Sequence, residues 1–370
     1  MAGSTKTKTK KRLVLVLPSA QGGGAERVLL NLLESFDRRL FDLHLIIIDP
    51  TGPYLDLIPP DVFLHGLGYS RVGRALVRLA VVLRKLKPHA VLSSIGHLNL
   101  ALLVIKPLLP EKTKVFVRES NIPSFAFATG AKNILFRLLY RILYPSADGI
   151  ICLGEAIRKD LQNNFRIRDE KMVTIPNPVR VDTIRSKMHS RHNPLKQPGS
   201  RLLAAGSLTR QKGFDLLIHA MASLVKTRPE IHLTILGDGP DKNKLANQIQ
   251  SLNLLDSITL AGFQEDPYPY LFHADLFVLS SRWEGLPNVV LESLACGTSV
   301  IAFDCPGCVR EIFDDPAQGT LVPAGDVEAL VMAIKRWLVK GKSSSKDSLL
   351  PARFEAKVVT QKYEQILSGD

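Results

Sequence analysis

The sequence lacks long hydrophobic runs and is poor in cysteine and aromatic residues. No stretch of its 370 residues approaches the roughly 18 consecutive apolar residues that span a bilayer, because the best one, Leu98–Pro110, is interrupted by a lysine and two prolines. Of its four cysteines, Cys152 and Cys296 lie in apolar runs and are expected to be small buried side chains. Aromatic residues make up only 6%, which argues against the stacking surface of a protein that binds single-stranded nucleic acid.

Metal and cofactor motifs are missing as well. Cys305 and Cys308 have redox spacing, but no second ligand pair exists to complete a zinc site. No Asp-x-Asp motif follows a strand, and no Gly-Lys-Ser follows the glycine-rich turn at Gly22, so it is not a Walker loop. We therefore expect neither a metal nor a bound cofactor.

What is present is an alternation of short apolar runs with helical patterns, which predicts a doubly wound α/β architecture. The length suits two domains. We predict a first Rossmann-like domain over residues 12–181, a linker over 182–200, a second Rossmann-like domain over 201–340 and a C-terminal helix over 352–370. Nine runs are expected as buried parallel strands: Leu13–Leu17, Leu43–Ile48, Ala90–Leu92, Lys114–Val117, Gly149–Leu153, Arg201–Ala205, His232–Leu236, Leu276–Leu279 and Ser299–Phe303.

The net charge of +13 lies entirely in the first half, where residues 1–180 contain 27 Lys+Arg and 14 Asp+Glu. An acidic partner is expected there: an anionic membrane surface, a phosphorylated lipid or a nucleic acid. Arg71–Lys85 and Asn133–Tyr144 interleave arginine with bulky apolar residues, as interfacial helices do. They also suit ordinary helices packed on a sheet. The basic stretch from Thr5 to Arg12 leads directly into a strand, so we expect a cytoplasmic chain, peripheral on the inner face of the cytoplasmic membrane.

The segment from Ser281 to Gly297 places two carboxylates around a helix start. Pro287 suits the first helical position and Gly297 the residue past the end. Glu284 would precede the helix, while Glu292 and Asn288 would share one face. Phosphate binds well at a helix start, and carboxylates accept hydrogen bonds from sugar hydroxyls. A nucleotide-sugar presents both kinds of group.

Several loops follow predicted strands. Gly22-Gly23-Gly24-Ala25-Glu26-Arg27 follows the first strand and opens a helix. Gly206-Ser207-Leu208-Thr209-Arg210-Gln211-Lys212-Gly213-Phe214 brings two cations close to a helix start, where they could neutralise a leaving diphosphate. Gly237-Asp238-Gly239-Pro240 and Gly262-Phe263 end later strands.

In this order, these motifs resemble those of the glycosyltransferase family 4 enzymes, over roughly residues 13–330. The resemblance implies the GT-B fold, in which two Rossmann-like doubly wound domains face each other across a cleft and the last helix commonly crosses back to the first domain. It implies that Arg210 and Lys212 hold the donor diphosphate, that Glu284 contacts the hexose and that Glu292 holds the ribose. The donor-binding set would be Gly23, Gly24, Gly206, Arg210, Lys212, Gly239, Phe263, Glu284, Gly285, Leu286, Asn288, Val289 and Glu292.

The acceptor side is expected in the first domain. His97 follows a strand and could hydrogen-bond the sugar or the acceptor, so it joins Glu284, Arg210 and Lys212 as a predicted catalytic residue. Arg118, Glu119 and Asn121 end the next strand. Arg118 could hold an acceptor phosphate and Glu119 could assist proton removal, although a local Arg–Glu pair is an equally good interpretation.

The predicted function is transfer of a hexose-type sugar, with retention and without a metal, from a nucleoside diphosphate to a membrane-anchored glycan or lipid-linked saccharide in cell-surface polysaccharide assembly. UDP is favoured over GDP. Two alternatives stay open: a sugar-nucleotide epimerase of GT-B fold, which would convert the donor without an acceptor, and a basic nucleic-acid-binding protein, which no recognised motif supports.

Overall fold

A computed structural model describes residues 10–126, 131–188, 193–340 and 346–369. Residues 5–9 of the basic stretch and residues 189–192 of the predicted linker lie outside the described residues. The chain divides into two compact units, one formed by Met1–Pro178 with Ala356–Asp370 and the other by Val179–Glu355. Each unit is described by itself.

The first unit contains a seven-stranded sheet in the order β3-β2-β1-β4-β5-β6-β7, and all of its pairings are parallel. Its strands are β1 (Lys11–Ser19), β2 (Phe41–Asp49), β3 (Phe63–Gly66), β4 (Ala90–Ser94), β5 (Lys114–Glu119), β6 (Gly149–Cys152) and β7 (Met172–Thr174). The helices that lie between these strands in the sequence are α1 (Gly24–Ser35), α2 (Val72–Leu86), α3 (Gly96–Ile105), α4 (Pro123–Ala126), α5 (Ala131–Leu143) and α6 (Glu155–Phe165).

The second unit repeats the arrangement with six parallel strands in the order β10-β9-β8-β11-β12-β13. These are β8 (Ser200–Ala205), β9 (Ile231–Leu236), β10 (Ile258–Gly262), β11 (Leu276–Leu279), β12 (Val300–Asp304) and β13 (Gly319–Pro323). The helices are α7 (Val181–Met188), α8 (Phe214–Leu224), α9 (Lys242–Ser251), α10 (Tyr268–His273), α11 (Asn288–Ala295) and α12 (Val327–Lys340). The two Rossmann-like sheets confirm the predicted fold class.

In both sheets the strand order reverses beside the strand that comes first in the chain, β1 in one unit and β8 in the other. Ligands of open α/β sheets bind outside the carboxyl ends of the strands at such a switch point. The functional loops should therefore follow β1 and β4 in the first unit, and β8 and β11 in the second.

Each of the nine predicted runs coincides with a strand, and only Leu153 and Ser299, at the ends of two runs, fall outside. Burial on both faces demands continuous apolar sequence. Leu13 to Leu17, for example, are all fully buried in β1. Strands β3, β7, β10 and β13 had no predicted run. All four lie at sheet edges, and in β3 Phe63 is 56% exposed. An edge strand needs no continuous apolar run, so this signal misses it.

The last helix, α13 (Ala356–Ser368), belongs to the first unit. Val359, Tyr363 and Leu367 are fully buried there, in the core that also contains Leu13 and Phe41. The unit boundary falls after Pro178, and part of the stretch predicted as a linker forms helix α7.

Candidate active site

At the switch point of the second unit, an ion pair joins the loops after β8 and β11. Lys212 Nζ lies 2.6 Å from Glu284 Oε1, and the two side chains are only 17% and 6% exposed. Ser281 Oγ donates to the same carboxylate oxygen at 2.6 Å. A cation suited to phosphate and a carboxylate suited to sugar hydroxyls are thus held side by side. Both were predicted site residues.

A second ion pair joins the loop after β11 to the first turn of α8, and sequence reasoning missed it. Arg282 donates to both carboxylate oxygens of Asp215, at 2.8 and 2.7 Å, and to the carbonyl oxygen of Arg210 at 2.9 Å. The hydrogen bond from Arg282 is the main reason why the pKa of Asp215 is lowered. This contact holds the backbone of Arg210 in place, while the Arg210 side chain is exposed. The sequence could not predict the contact between Asp215 and Arg282, because 67 positions separate them.

Close backbone packing explains part of the glycine pattern at this edge. A Cβ on Gly239 would lie 2.6 Å from the carbonyl oxygen of Leu208, so the loops after β8 and β9 approach too closely for a side chain. Gly206 lies beside the Lys212 side chain. Phe263, directly after β10, keeps 55% of its surface exposed. A flat exposed ring is available there to a stacking partner.

The Cys305–Cys308 segment forms the support behind Glu284. The Glu284 N–H donates to the carbonyl oxygen of Pro306, and the Cys308 N–H donates to that of Gly285, both at 2.9 Å. Both cysteine side chains are buried, and burial raises the pKa of Cys305 to about 12. Thiol redox chemistry needs an accessible thiolate, so a supporting role fits this geometry.

Helix α11 begins one residue later than predicted, with Pro287 as its N-cap instead of its first residue. Asn288 and Glu292 are half-buried and share a face, as expected. Val289 is half-buried as well, while Leu286 is only 6% exposed. Gly297 follows the helix with φ 75°, a left-handed conformation that favours glycine.

In the first unit, a buried glutamate fastens the glycine-rich loop after β1. Glu26 accepts a hydrogen bond from Ser19 Oγ at 2.6 Å and another from the Gly23 N–H at 2.7 Å. Gly23 is the N-cap of α1 and Gly24 its first residue. The sequence motif included Glu26 but gave it no role; its role here is to hold the loop against the strand.

His97 lies on the other side of the first switch point, in the first turn of α3. It lines a cavity of about 590 Å³ together with Ser19 and Gln21 from the end of β1 and the loop after it. Partial burial lowers the pKa of His97, so its imidazole is neutral at pH 7 and can either donate or accept a hydrogen bond. The placement fits a residue that contacts a ligand.

Arg118 differs from its prediction. Its side chain is fully buried, and it donates to Ser94 Oγ at 2.7 Å, to the Tyr363 hydroxyl at 3.1 Å and to Asn177 Oδ1. These contacts join β5 to β4 and α13. Arg118 is therefore not placed to hold an acceptor phosphate, because a buried charge stays where its partners are.

Glu119 is likewise internal, at 3% exposed. Its Oε2 accepts the hydroxyls of Tyr140 at 3.1 Å and Tyr144 at 2.5 Å, and burial raises its pKa to about 7. This carboxyl ties α5 to the sheet and is not placed to deprotonate an acceptor. Asn121, two residues on, is half-buried and stays the acceptor-side residue that the prediction named.

Within the described ranges, no three His, Cys, Asp or Glu side chains lie close enough to hold a metal ion. None of the helices in those ranges is long and apolar enough to cross a membrane.

Comparison with known proteins agrees with the motifs. The model of Glycosyltransferase Family 4 matches residues 22–183, and that of Glycosyl transferases group 1 matches residues 187–347. The chain is 29% identical over 340 residues to the N-acetylgalactosamine-N,N'-diacetylbacillosaminyl-diphospho-undecaprenol 4-alpha-N-acetylgalactosaminyltransferase of Campylobacter jejuni, covering 89% of this chain and 90% of that protein. It is 24% identical over 310 residues to the amylovoran biosynthesis glycosyltransferase AmsD of Erwinia amylovora, covering 82% and 84%.

Two solved structures share the fold. The HepE protein of Anabaena in complex with UDP superposes with a TM-score of 0.76 at 18% identity, over 97% of this chain and all of that one. The apo lipopolysaccharide outer core galactosyltransferase WaaB gives a TM-score of 0.70 at 17% identity, over 97% and 99%. The chain belongs to glycosyltransferase family 4 and has the GT-B fold, which confirms the resemblance found in the sequence. It is a glycosyltransferase.

Proposed function

We propose that this glycosyltransferase moves a hexose-type sugar, with retention and without a metal, from a UDP-sugar to a lipid-linked saccharide during cell-surface polysaccharide assembly. The observation that carries the proposal is the Lys212–Glu284 pair at the β8/β11 switch point. It supplies a phosphate-binding cation directly beside a sugar-binding carboxylate.

In the donor complex, Lys212 and Arg210 stabilise the departing diphosphate, as preorganised cations do for charge that develops in a transition state. Glu284 accepts hydrogen bonds from hexose hydroxyls, Glu292 holds the ribose and the exposed ring of Phe263 stacks on the base. UDP is the favoured nucleotide because HepE was solved in complex with UDP and with UDP and glucose.

Retention follows from attack on the face that the diphosphate leaves. The bond from C1 to the diphosphate oxygen breaks, the acceptor hydroxyl oxygen bonds to C1 on the same face, and its proton passes to the leaving phosphate oxygen. In this scheme the side chains contribute position and charge. The scheme needs no protein base, which suits the burial of Glu119 away from any acceptor.

The acceptor class is supported by relatives and by surface chemistry. The name of the Campylobacter jejuni relative specifies a diphospho-undecaprenol saccharide, and a Rhizobium meliloti relative, 31% identical over 173 residues, acts in lipopolysaccharide core biosynthesis. Helix α5 exposes Ile134, Leu138 and Ile142 at 71%, 52% and 62%. Neither α2 nor α5 contains an acidic residue. Such helices suit the interface of an anionic membrane, so we place the enzyme on the inner face of the cytoplasmic membrane.

The epimerase alternative is not favoured, because the two relatives and WaaB described above are transferases. An assay for donor consumption separates the two functions: a transferase turns over only when acceptor is added, whereas an epimerase changes the donor alone.

Thermal stabilisation by UDP, GDP and ADP tests the donor site. UDP at about 100 times its dissociation constant should stabilise the protein by roughly 2.7 kcal/mol. Arg210→Ala and Glu292→Ala should remove the effect, while the control Arg228→Ala, whose exposed side chain precedes β9 at the opposite edge of the sheet, should keep it. Absence of any nucleotide effect on the native chain would contradict the proposal.

A further inference from the structure

The cavity that His97 lines has polar residues at one end and apolar residues along the helices that form its walls. Its polar lining comes from strand ends and helix starts, and includes Ser19, Gln21 and Asp49 with Arg71 and His97. Its apolar lining comes from the bodies of three helices: Leu76 of α2, Leu100, Ala101 and Val104 of α3, and Phe136 and Leu139 of α5. A volume of about 590 Å³ is in the range of small-ligand pockets.

Helix α5 connects this cavity to the outer surface. Phe136, Leu139 and Leu143 line the cavity, and their spacing of three and four residues puts them on one face. The neighbouring face carries the exposed Ile134, Leu135, Leu138 and Ile142. Apolar surface therefore continues around α5 from the cavity wall to the exterior. A hydrocarbon chain that lies along this surface would contact apolar side chains.

Helices α3 and α5, which both line the cavity, pack closely against each other. A Cβ on Gly96 would lie 2.1 Å from the Tyr140 hydroxyl, so α3 and α5 meet closely at this point. Tyr140 is tied in turn to Glu119. Ile95, the N-cap of α3, has φ 84°, which is strained for a β-branched residue. Strain of this kind persists where surrounding structure imposes it, often at ligand sites.

The lining chemistry excludes a saccharide as the occupant of the helical part. Sugar hydroxyls placed among Leu76, Leu100 and Phe136 would lose water without gaining hydrogen bonds, which is costly. A hydrocarbon chain gains from the same walls. At the polar end, Arg71 offers positive charge, whereas the Asp49 carboxylate already accepts a hydrogen bond from Thr51 Oγ1 at 3.0 Å.

We propose that this cavity receives the first isoprenoid units of the acceptor lipid, with Arg71 and His97 at the end that holds its diphosphate. The proposal rests on the proposed function and deepens it, since it assigns the acceptor lipid a binding site within the first unit. One relative favours a prenyl chain over an acyl chain. The alignment covers 90% of the Campylobacter jejuni transferase, and that protein is named for a diphospho-undecaprenol saccharide.

Binding of farnesyl diphosphate to the purified full chain, measured by calorimetry without membranes, tests the site. Ala101→Phe and Leu139→Trp fill the cavity and should each weaken binding at least tenfold. The control Val81→Phe, on α2 outside the lining, should bind as the native chain does. Arg71→Gln should weaken farnesyl diphosphate but leave farnesol unchanged, and inorganic diphosphate should bind at least tenfold more weakly.

Unchanged farnesyl diphosphate binding in both filled variants, with melting temperatures showing that they fold, would overturn the proposal. Tighter binding of dodecyl phosphate would overturn the choice of a prenyl chain. The UDP stabilisation assay on the same preparations separates this site from the donor site. UDP stabilisation without farnesyl diphosphate binding contradicts the cavity assignment alone, and the reverse result supports the cavity while contradicting the donor proposal.

Discussion

At the scale of single residues, the Lys212–Glu284 ion pair is buried in the structure, and we propose for it both a structural and a catalytic role. Removing one member of a well-buried ion pair leaves the other charge without compensation and costs about 3 kcal/mol or more. We expect Lys212→Met to destabilise the protein by about that amount. Glu284→Gln in the same chain should recover most of the stability, since no lone charge is then buried. Denaturant unfolding measures both.

Activity should not recover with stability. Loss of one preorganised stabiliser of developing charge typically lowers kcat by about 10²-fold to 10³-fold, so the double variant should fold and remain that slow. Lys242→Met is the matched control, because Lys242 and Asp238 form an exposed pair in the same unit and such pairs contribute at most about 1 kcal/mol. Equal destabilisation by both methionine variants would contradict the structural role of Lys212.

At the scale of elements, Glu119 makes the attachment of α5 to the sheet depend on pH. Burial raises its pKa from 4.5 to about 7 in the folded state. Between these values the folded protein holds a proton that the unfolded chain has lost, so stability falls as pH rises through this window. Glu119→Gln removes that dependence. The native curve of unfolding free energy against pH should therefore fall relative to the variant by up to about 3 kcal/mol between pH 4.5 and 7. Parallel curves would show that Glu119 is not protonated in the fold.

Elements also show what sequence can predict. Continuous apolar runs identified the inner strands, and the loops that follow β8 and β11 could be named because parallel strands bring their carboxyl ends to one edge. The bracing pair Asp215–Arg282 could not be found, because ion pairs between distant segments leave no periodic signal. Arg118 and Glu119 were misjudged for a related reason. Their position at a strand end is shared by ligand-binding residues and by buried ones, and only the tyrosines and Asn177 packed around them decide between the two.

At the scale of the whole molecule, the two halves of the chain differ in net charge. The excess of +13 lies in residues 1–180, together with the exposed apolar face of α5. We expect the protein to sediment with vesicles that contain anionic lipid, and this binding to weaken as salt screens the attraction over a Debye length of about 8 Å at physiological ionic strength. Neutral vesicles should bind less at every salt concentration, because only the apolar contribution remains.

Charge introduced into the apolar face provides the sharper test. Leu138→Asp and Ile142→Asp together should lower vesicle binding at least tenfold, since each places a carboxylate where apolar contact with the interface is expected. The matched control is Met332→Asp together with Val339→Asp: both residues are exposed on α12, at 50% and 78%, in the half of the chain that carries no net charge. Its binding should equal that of the native chain. Equal losses from both changes would mean that the membrane recognises net charge alone, and unchanged binding in the α5 variant would remove α5 from the membrane surface.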